Sequence, residues 1–258
     1  MDKRHVVLFS TGLSSAFVLD RVQQECGKEN TVALFTDTLW EDEDNYRFMR
    51  EVIAYLGATL EYRADGRTPE QVWFDTRFLI APKGTRCTID LKTKLTVRYV
   101  EEATLAGFDP MLYFGIGANE AHRAVGLGYR YAPAECRFPL IDHPLTNQEM
   151  TIICEREWGI QVPRMYKLGF SHANCGGRCI KGGQSHWRHL LNIWPERYAE
   201  VEEIERRFRR EINGDIAILQ DRRGGEKRYV TLEEFRKRVA GRQQCLLMDE
   251  YTPCECVF

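Results

Sequence analysis

The sequence predicts a three-layer α/β fold: a parallel sheet of about five strands with helices on both faces over residues 1–145, then a mostly helical region over 146–258. Three observations predict it. Short apolar runs ending in small or polar residues alternate with segments whose apolar residues recur at helical spacing. No internal repeat interrupts that alternation. Beyond about residue 145 it stops, and a glycine-rich cysteine loop and charged helical segments take its place.

The first strand is His5-Val6-Val7-Leu8-Phe9. It enters the small-residue turn Ser10-Thr11-Gly12-Leu13-Ser14-Ser15, and a helix follows with Phe17, Val18 and Val22 on one face and Ser14 or Ser15 as its expected cap. Thr31 to Phe35 is a second strand ending in Thr36-Asp37-Thr38, followed by a helix carrying Tyr46, Met49, Val52, Ile53 and Leu56 and stopped by Gly57. Thr59–Tyr62 makes a third strand, and Pro69 opens another helix. A long helix is predicted over Thr88 to Ala106, with Cys87 just before it. Met111–Phe114 is a fourth strand leading into Gly115-Ile116-Gly117-Ala118-Asn119-Glu120-Ala121-His122-Arg123, and Arg137–Leu140 is expected to be a last short strand. In the second region, helices are expected from Thr146 to Trp158, around Trp187 to Trp194, from Pro195 to about Ile212, and after Thr231. A hairpin is expected over Ile216–Val230.

A net charge of −2 argues against a generally basic, nucleic-acid-coating protein. No apolar run is long enough for a bilayer, and the first residues lack a secretory h-region, so the chain is expected to be cytoplasmic with no membrane partner. Its nine cysteines are then more in keeping with thiols or metal ligands than with a disulfide framework. Cys26 and Cys154 fall at helical apolar positions and read as core. The crowded basic residues of the last quarter, such as Arg206, Arg207, Arg209 and Arg210, are interleaved with glutamates and read as salt-bridged helix surface.

A strand running into a small-residue turn that opens a helix presents backbone N–H groups to an anion. Polar residues at the carboxyl ends of parallel strands, such as Asp37, face the same crevice. Four stretches carry a resemblance to a known family: Ser10–Ser15, Thr36-Asp37-Thr38, Cys87-Thr88-Ile89-Asp90-Leu91-Lys92 and Gly115–Arg123. Together they resemble the PP-loop ATP pyrophosphatases and the phosphoadenosine phosphosulfate reductases, whose fold is Rossmann-like and of the adenine nucleotide alpha hydrolase-like kind. Ser10, Gly12 and Ser15 match that family's loop, Thr11 stands where it has a glycine, and Ser14 stands where it has an aspartate. The resemblance implies ATP and Mg²⁺ as cofactors. It also implies a nucleotide site made by Phe9, Ser10, Thr11, Gly12, Ser14, Ser15, Asp37, Gly115 and Arg123, with Asp37, Lys92 and Glu120 in catalytic roles. Asp37 would assist the metal, Lys92 would stabilise thiolate or phosphate charge, and Arg123 would clamp an anion, with an ion pair to Glu120 as its plain alternative.

Cys175-Gly-Gly-Arg-Cys179 is a tight loop able to turn two sulfurs toward one metal. With Cys87 as a third ligand it resembles the thiolation branch of PP-loop enzymes, which implies a [4Fe–4S] cluster, zinc or metal-free thiols being the alternatives. Cys136, His172, Cys254 and Cys256 are the candidates for a fourth ligand. The function so implied is an ATP-dependent, AMP-forming sulfurtransferase that adenylates an acceptor and passes it sulfur. Its expected partners are an adenine nucleotide, a nucleic-acid acceptor or sulfur-donor protein, and a second copy in a homodimer. A phosphoadenosine phosphosulfate reductase-like enzyme and a non-catalytic nucleotide-binding module of phage or defence origin are the alternatives. The adjacent Cys-Cys pair and the Glu-Cys-Gly-Leu-His motif of assimilatory reductases are absent, Pro253-Cys254-Glu255-Cys256 being only a faint substitute, which lowers the reductase reading.

Overall fold

The computed structural model describes residues 2–79, 84–221 and 228–241. The tail cysteines Cys245, Cys254 and Cys256 lie outside the described residues, as do Arg222, Arg223, Lys227 and Arg242. In the first region β1 (Asp2–Leu8), α1 (Leu13–Cys26), β2 (Thr31–Asp37), α2 (Glu43–Leu56), β3 (Thr59–Ala64) and α3 (Pro69–Thr76) follow one another. After them come α4 (Arg86–Thr88), α5 (Lys94–Leu105), β4 (Phe108–Tyr113), α6 (Ala124–Tyr131), β5 (Glu135–Arg137) and α7 (Pro139–Asp142). The second region holds α8 (Asn147–Arg156), α9 (Arg164–Lys167), α10 (Gln184–Ile193), α11 (Pro195–Ile212), the antiparallel pair β6 (Leu219–Asp221) and β7 (Arg228–Val230), and α12 (Leu232–Gly241).

The five strands of the first region form one parallel sheet in the order β3-β2-β1-β4-β5. The chain builds outward from β1 to β3, then crosses back to lay β4 and β5 on the other side of β1. The carboxyl ends of β1 and β4 are therefore the topological switch point, where an open α/β sheet leaves a crevice. Successive side chains alternate across the sheet. Val7, Phe9, Ala33, Phe35, Met111 and Tyr113 pack under Phe17, Leu19, Phe48, Val52, Met150 and Cys154 from α1, α2 and α8. Val6, Leu8, Val32, Leu34, Leu112 and Phe114 pack with Tyr99 of α5 and with Leu127 and Tyr131 of α6. Burial on both faces is why these strands read as unbroken apolar runs.

A third core joins Trp187, Leu190, Tyr198, Val201, Ile204 and Phe208 of α10 and α11 to Val230, Leu232 and Phe235, and takes in Trp40 and Trp73 from the first region. Each such buried side chain contributes about 1.5–3 kcal/mol of transfer free energy. An ionic clamp reinforces the junction. Asp42, fully buried after β2, accepts from Arg164 Nε and Nη2 at 2.8 Å each and pairs with Arg197 Nη2 at 2.8 Å. Burial alone would raise its carboxyl, but those guanidiniums and the Asp44 N–H hold it below its ordinary value.

Three local expectations are corrected. The cap of α1 is Gly12, with no side-chain hydrogen bond, because Ser15 Oγ turns back to donate to Gly12 O at 2.9 Å and accepts from Ser10 N at 3.1 Å. The last strand ends at Arg137, since Pro139 begins α7 instead. The long helix is broken into α4 and α5 by a π-helical turn, Ile89–Thr93, that carries Lys92. Among the described residues no helix is long and apolar enough to cross a membrane.

Candidate functional site

At the switch point β1 runs into a turn whose Thr11 is fully buried with φ +61°, a left-handed backbone that a β-branched residue adopts only under constraint. Its hydroxyl donates to Ser10 O at 2.6 Å, fixing the turn. The end of β4 comes so close to this turn that only glycine fits at 115. A Cβ there would stand 2.8 Å from Ser15 N and 3.0 Å from the Ser14 carbonyl carbon. The open end of α1 is thereby pressed against the mouth of the sheet; Gly12 gives it no side-chain cap, and Tyr166 Oη takes the Leu13 N–H at 3.3 Å.

A cleft of about 100 Å³ opens there. One wall comes from Ser10, Gly12, Ser14, Ser15, Gly115, Asn119 and Glu120, and the other from Tyr166 and the segment Ser171–Asn174 of the second region. No lysine or arginine is among its described lining residues; the donors it offers an anion are hydroxyls, side-chain amides, backbone N–H groups and the His172 ring. Glu120 is its carboxylate and is tied to Arg123 Nη1 at 2.5 Å, both side chains largely buried. The plain alternative for Arg123, a pair with Glu120, is thus present; the guanidinium stands behind the cleft wall.

Asp37 is elsewhere. Its carboxylate accepts from Tyr46 Oη at 2.8 and 3.0 Å, Tyr62 Oη at 2.7 Å and Leu39 N at 2.8 Å, and it does not line the cleft. Burial, followed by the facing Asp37 charge, pushes the Tyr62 hydroxyl up to about 12 and raises Tyr46 further. Phe9 and Thr11 are buried beneath the turn and support it from below.

Immediately beyond Asn174 lies a second, smaller space of about 20 Å³. Cys87, Cys175, Cys179 and Lys92 line it together with Trp40, Trp73 and Arg178. The three cysteines named from sequence are gathered around one cavity by two elements, α4, which carries Cys87, and the loop before α10; the π-helical turn after α4 adds Lys92. Cys175, Gly176 and Gly177 take successive left-handed conformations, φ +53°, +56° and +84°, which curl the loop tightly. Glu41, buried beside it, receives Cys175 N at 2.7 Å and lies 3.9 Å from Lys92 Nζ. Burial drives the Glu41 carboxyl up, opposed by Lys92 and the Cys175 N–H. Burial likewise raises the Cys87 thiol, opposed by Thr85, the Trp73 indole N–H and Lys92. Yet no group of three His, Cys, Asp or Glu side chains among the described residues is placed to hold a metal ion. The donor chemistry suits a thiolate metal site, but the spacing and the small cavity do not fit one.

Cys136 sits away from this cavity, its thiol pushed up to about 11 by burial and Glu135. His172 belongs to the cleft. The sequence reading missed Tyr166, Asn174, Glu41 and Trp73. Only the adjacency of Asn174 to Cys175 in the glycine-rich loop could have pointed to one of them.

No family model matches this chain, and no curated protein matches it. Solved structures similar to it include NMN synthetase from Francisella tularensis, at 14% identity and TM-score 0.42 over 63% of each chain. Phosphoadenylyl-sulfate (PAPS) reductase from Candida auris, in its phosphate complex, is similar at 15% identity and TM-score 0.46 over 66% of this chain and 79% of that one. NH3-dependent NAD synthetase from Campylobacter jejuni, in complex with the nitrate ion, is similar at 14% and 0.43 over 83% and 85%. The chain thus spans 63% of the length of the first of these structures. At such identities and scores the likeness says nothing of this chain's chemistry.

Proposed function

We propose that the chain is a PP-loop-type sulfurtransferase that binds an adenine nucleotide in the cleft and delivers sulfur from the cysteine cavity. What supports the reading is one adjacency: consecutive residues of a single loop, Asn174 and Cys175, wall an anion cleft at the switch point and a cavity holding three thiols. In the reaction, an acceptor oxygen attacks the α-phosphorus of ATP and pyrophosphate leaves. The α1 N-terminus and the Ser14 hydroxyl take up the developing phosphate charge, while Ser10 and Ser15 hold the turn. A cysteine persulfide, its outer sulfur supplied by a sulfur-donor protein, then attacks the activated carbon, and AMP departs with its oxygen. A second cysteine thiolate cleaves the resulting disulfide, releasing the thiolated acceptor. The cysteine pair left oxidised is reopened by an external thiol reductant. No step runs through an iron–sulfur cluster or zinc.

The test incubates the full chain with Mg²⁺-ATP, candidate acceptors and a persulfide donor. AMP and pyrophosphate formation that depends on acceptor, with thiolated product lost in Cys87→Ser, is expected. Nucleotide binding without AMP formation sinks the reading and leaves a binding module. Iron and labile-sulfide analysis of anaerobically purified protein, repeated with Cys175→Ala, tests the cluster separately. A second reading, a sulfonucleotide reductase, is favoured by one observation: the first turn of α1 has no acidic residue and Asp37 is occupied by two tyrosines. Thioredoxin-dependent sulfite release from a sulfonucleotide would select it.

A further inference from the structure

The second wall of the cleft contains two donors whose hydrogen-bonding capacity the protein leaves unused. Tyr166 Oη accepts from Leu13 N at 3.3 Å, and it stands 3.0 Å from where a Cβ on Gly12 would be. Its own proton meets no acceptor among the described residues. Burial pushes this hydroxyl up to about 12, so it keeps the proton at neutral pH. Asn174 is 7% exposed, and its amide nitrogen is buried without a partner. A buried donor left unmatched is destabilising, and native structures keep few of them. Both residues line the same small space as the end of α1, where only the Leu13 N–H has a side-chain partner, and α1 is long enough, at 14 residues, for its aligned peptides to favour an anion there.

We infer that Tyr166 and Asn174 are oxyanion-binding residues, through which the second region closes over a phosphate group held at the α1 N-terminus. The ligand class is a phosphate-type tetrahedral oxyanion carried by a nucleotide. Its oxygens supply the acceptors that the Tyr166 hydroxyl and Asn174 amide lack. With no lysine or arginine among its described lining residues, the cleft draws affinity from the count and direction of hydrogen bonds more than from a facing ammonium or guanidinium charge. The inference rests on nucleotide binding in the cleft and does not need sulfur transfer.

Calorimetric titration of the full chain with ATP, inorganic pyrophosphate and adenosine tests it. Tyr166→Phe and Asn174→Ala are each expected to weaken ATP and pyrophosphate about tenfold, the effect of one charge-assisted hydrogen bond. Adenosine affinity is expected to stay unchanged. Should Asn174→Ala fail to fold, Asn174→Asp keeps the shape, turns a donor into a like charge and is expected to weaken pyrophosphate further. Unchanged pyrophosphate binding in either residue's variants overturns the inference, as does an equal loss for adenosine and ATP. A wild-type chain that binds ATP and pyrophosphate but forms no AMP removes the proposed function and leaves this inference standing. One that binds neither overturns both.

Discussion

The cleft and the cysteine cavity lie on opposite sides of one loop, and they are built in opposite ways. The cleft is polar, made of hydroxyls, backbone N–H groups and glycines that let backbones approach. The cavity is smaller and belongs to an apolar core, with Trp73, Trp40, Cys175 and Cys179 in the same cluster as the helices α10 and α11. Ser14 and Asn174 on the cleft wall belong to no apolar core cluster, while side chains around the cavity also hold the second region to the sheet domain. Substitutions around the cavity are therefore expected to read out as stability, and those around the cleft as binding.

The largest effect should come from the cavity. Trp73→Ala removes a fully buried indole packed edge-on against Trp40, at 5.4 Å between centroids, and is expected to cost about 3–5 kcal/mol by denaturant unfolding. A loss under about 1 kcal/mol would break the comparison. At the junction, Asp42→Asn removes the charge that two arginines share. Because Arg164 is half exposed, the expected loss is roughly 2–3 kcal/mol, below that of a wholly buried pair. The Asp42 carboxyl is held below its ordinary value when folded, so its contribution is complete above the unfolded value of about 4. It is lost as pH falls through the folded value. Urea midpoints measured downward from neutral pH are expected to fall less steeply in Asp42→Asn than in wild type.

Gly115→Ala tests the cleft's frame. The new methyl would collide with the Ser15 backbone at 2.8 Å, so a cost of about 1–3 kcal/mol is expected together with loss of ATP binding. The smallest stability effect belongs to Ser14→Ala, on the cleft wall, expected within about 0.5 kcal/mol of wild type by thermal unfolding. Its ATP affinity is nevertheless expected to fall, and an Ser14→Ala protein that loses stability but keeps its affinity would reverse the contrast.

Legibility in the sequence follows the range of the interactions. The β1–turn–α1 unit, the strand alternation and the Gly115–Arg123 stretch are local patterns, and periodicity and turn chemistry are enough to read them. Gathering Cys87 with Cys175 and Cys179 came from resemblance, and the three do line one cavity. Asp37 shows where local reading stops. Its place at the end of β2 is right, but which way its carboxylate is occupied depends on Tyr46, on the next helix, and on Tyr62, in the neighbouring strand. Tyr166 and Asn174 reach the cleft from about 150 residues beyond Ser10–Ser15, and apart from the adjacency of Asn174 to Cys175 nothing in their own surroundings marks them. The π-helical turn at Ile89–Thr93 looks in sequence like the rest of its helix, since a register change of one hydrogen bond leaves apolar spacing almost intact.

The loop between the two spaces is one chain thick where Asn174 gives way to Cys175, and Glu41 grips it from below through the Cys175 N–H. That thinness has a consequence for dissecting the protein by mutagenesis. A change on the cleft face and a change on the thiol face share a peptide unit, a carboxylate and three left-handed residues, so their free energies should not add. A double-mutant cycle across this wall, Asn174→Ala with Cys175→Ala, is the place to look for a non-zero interaction energy, and single-variant values from either face should not be summed.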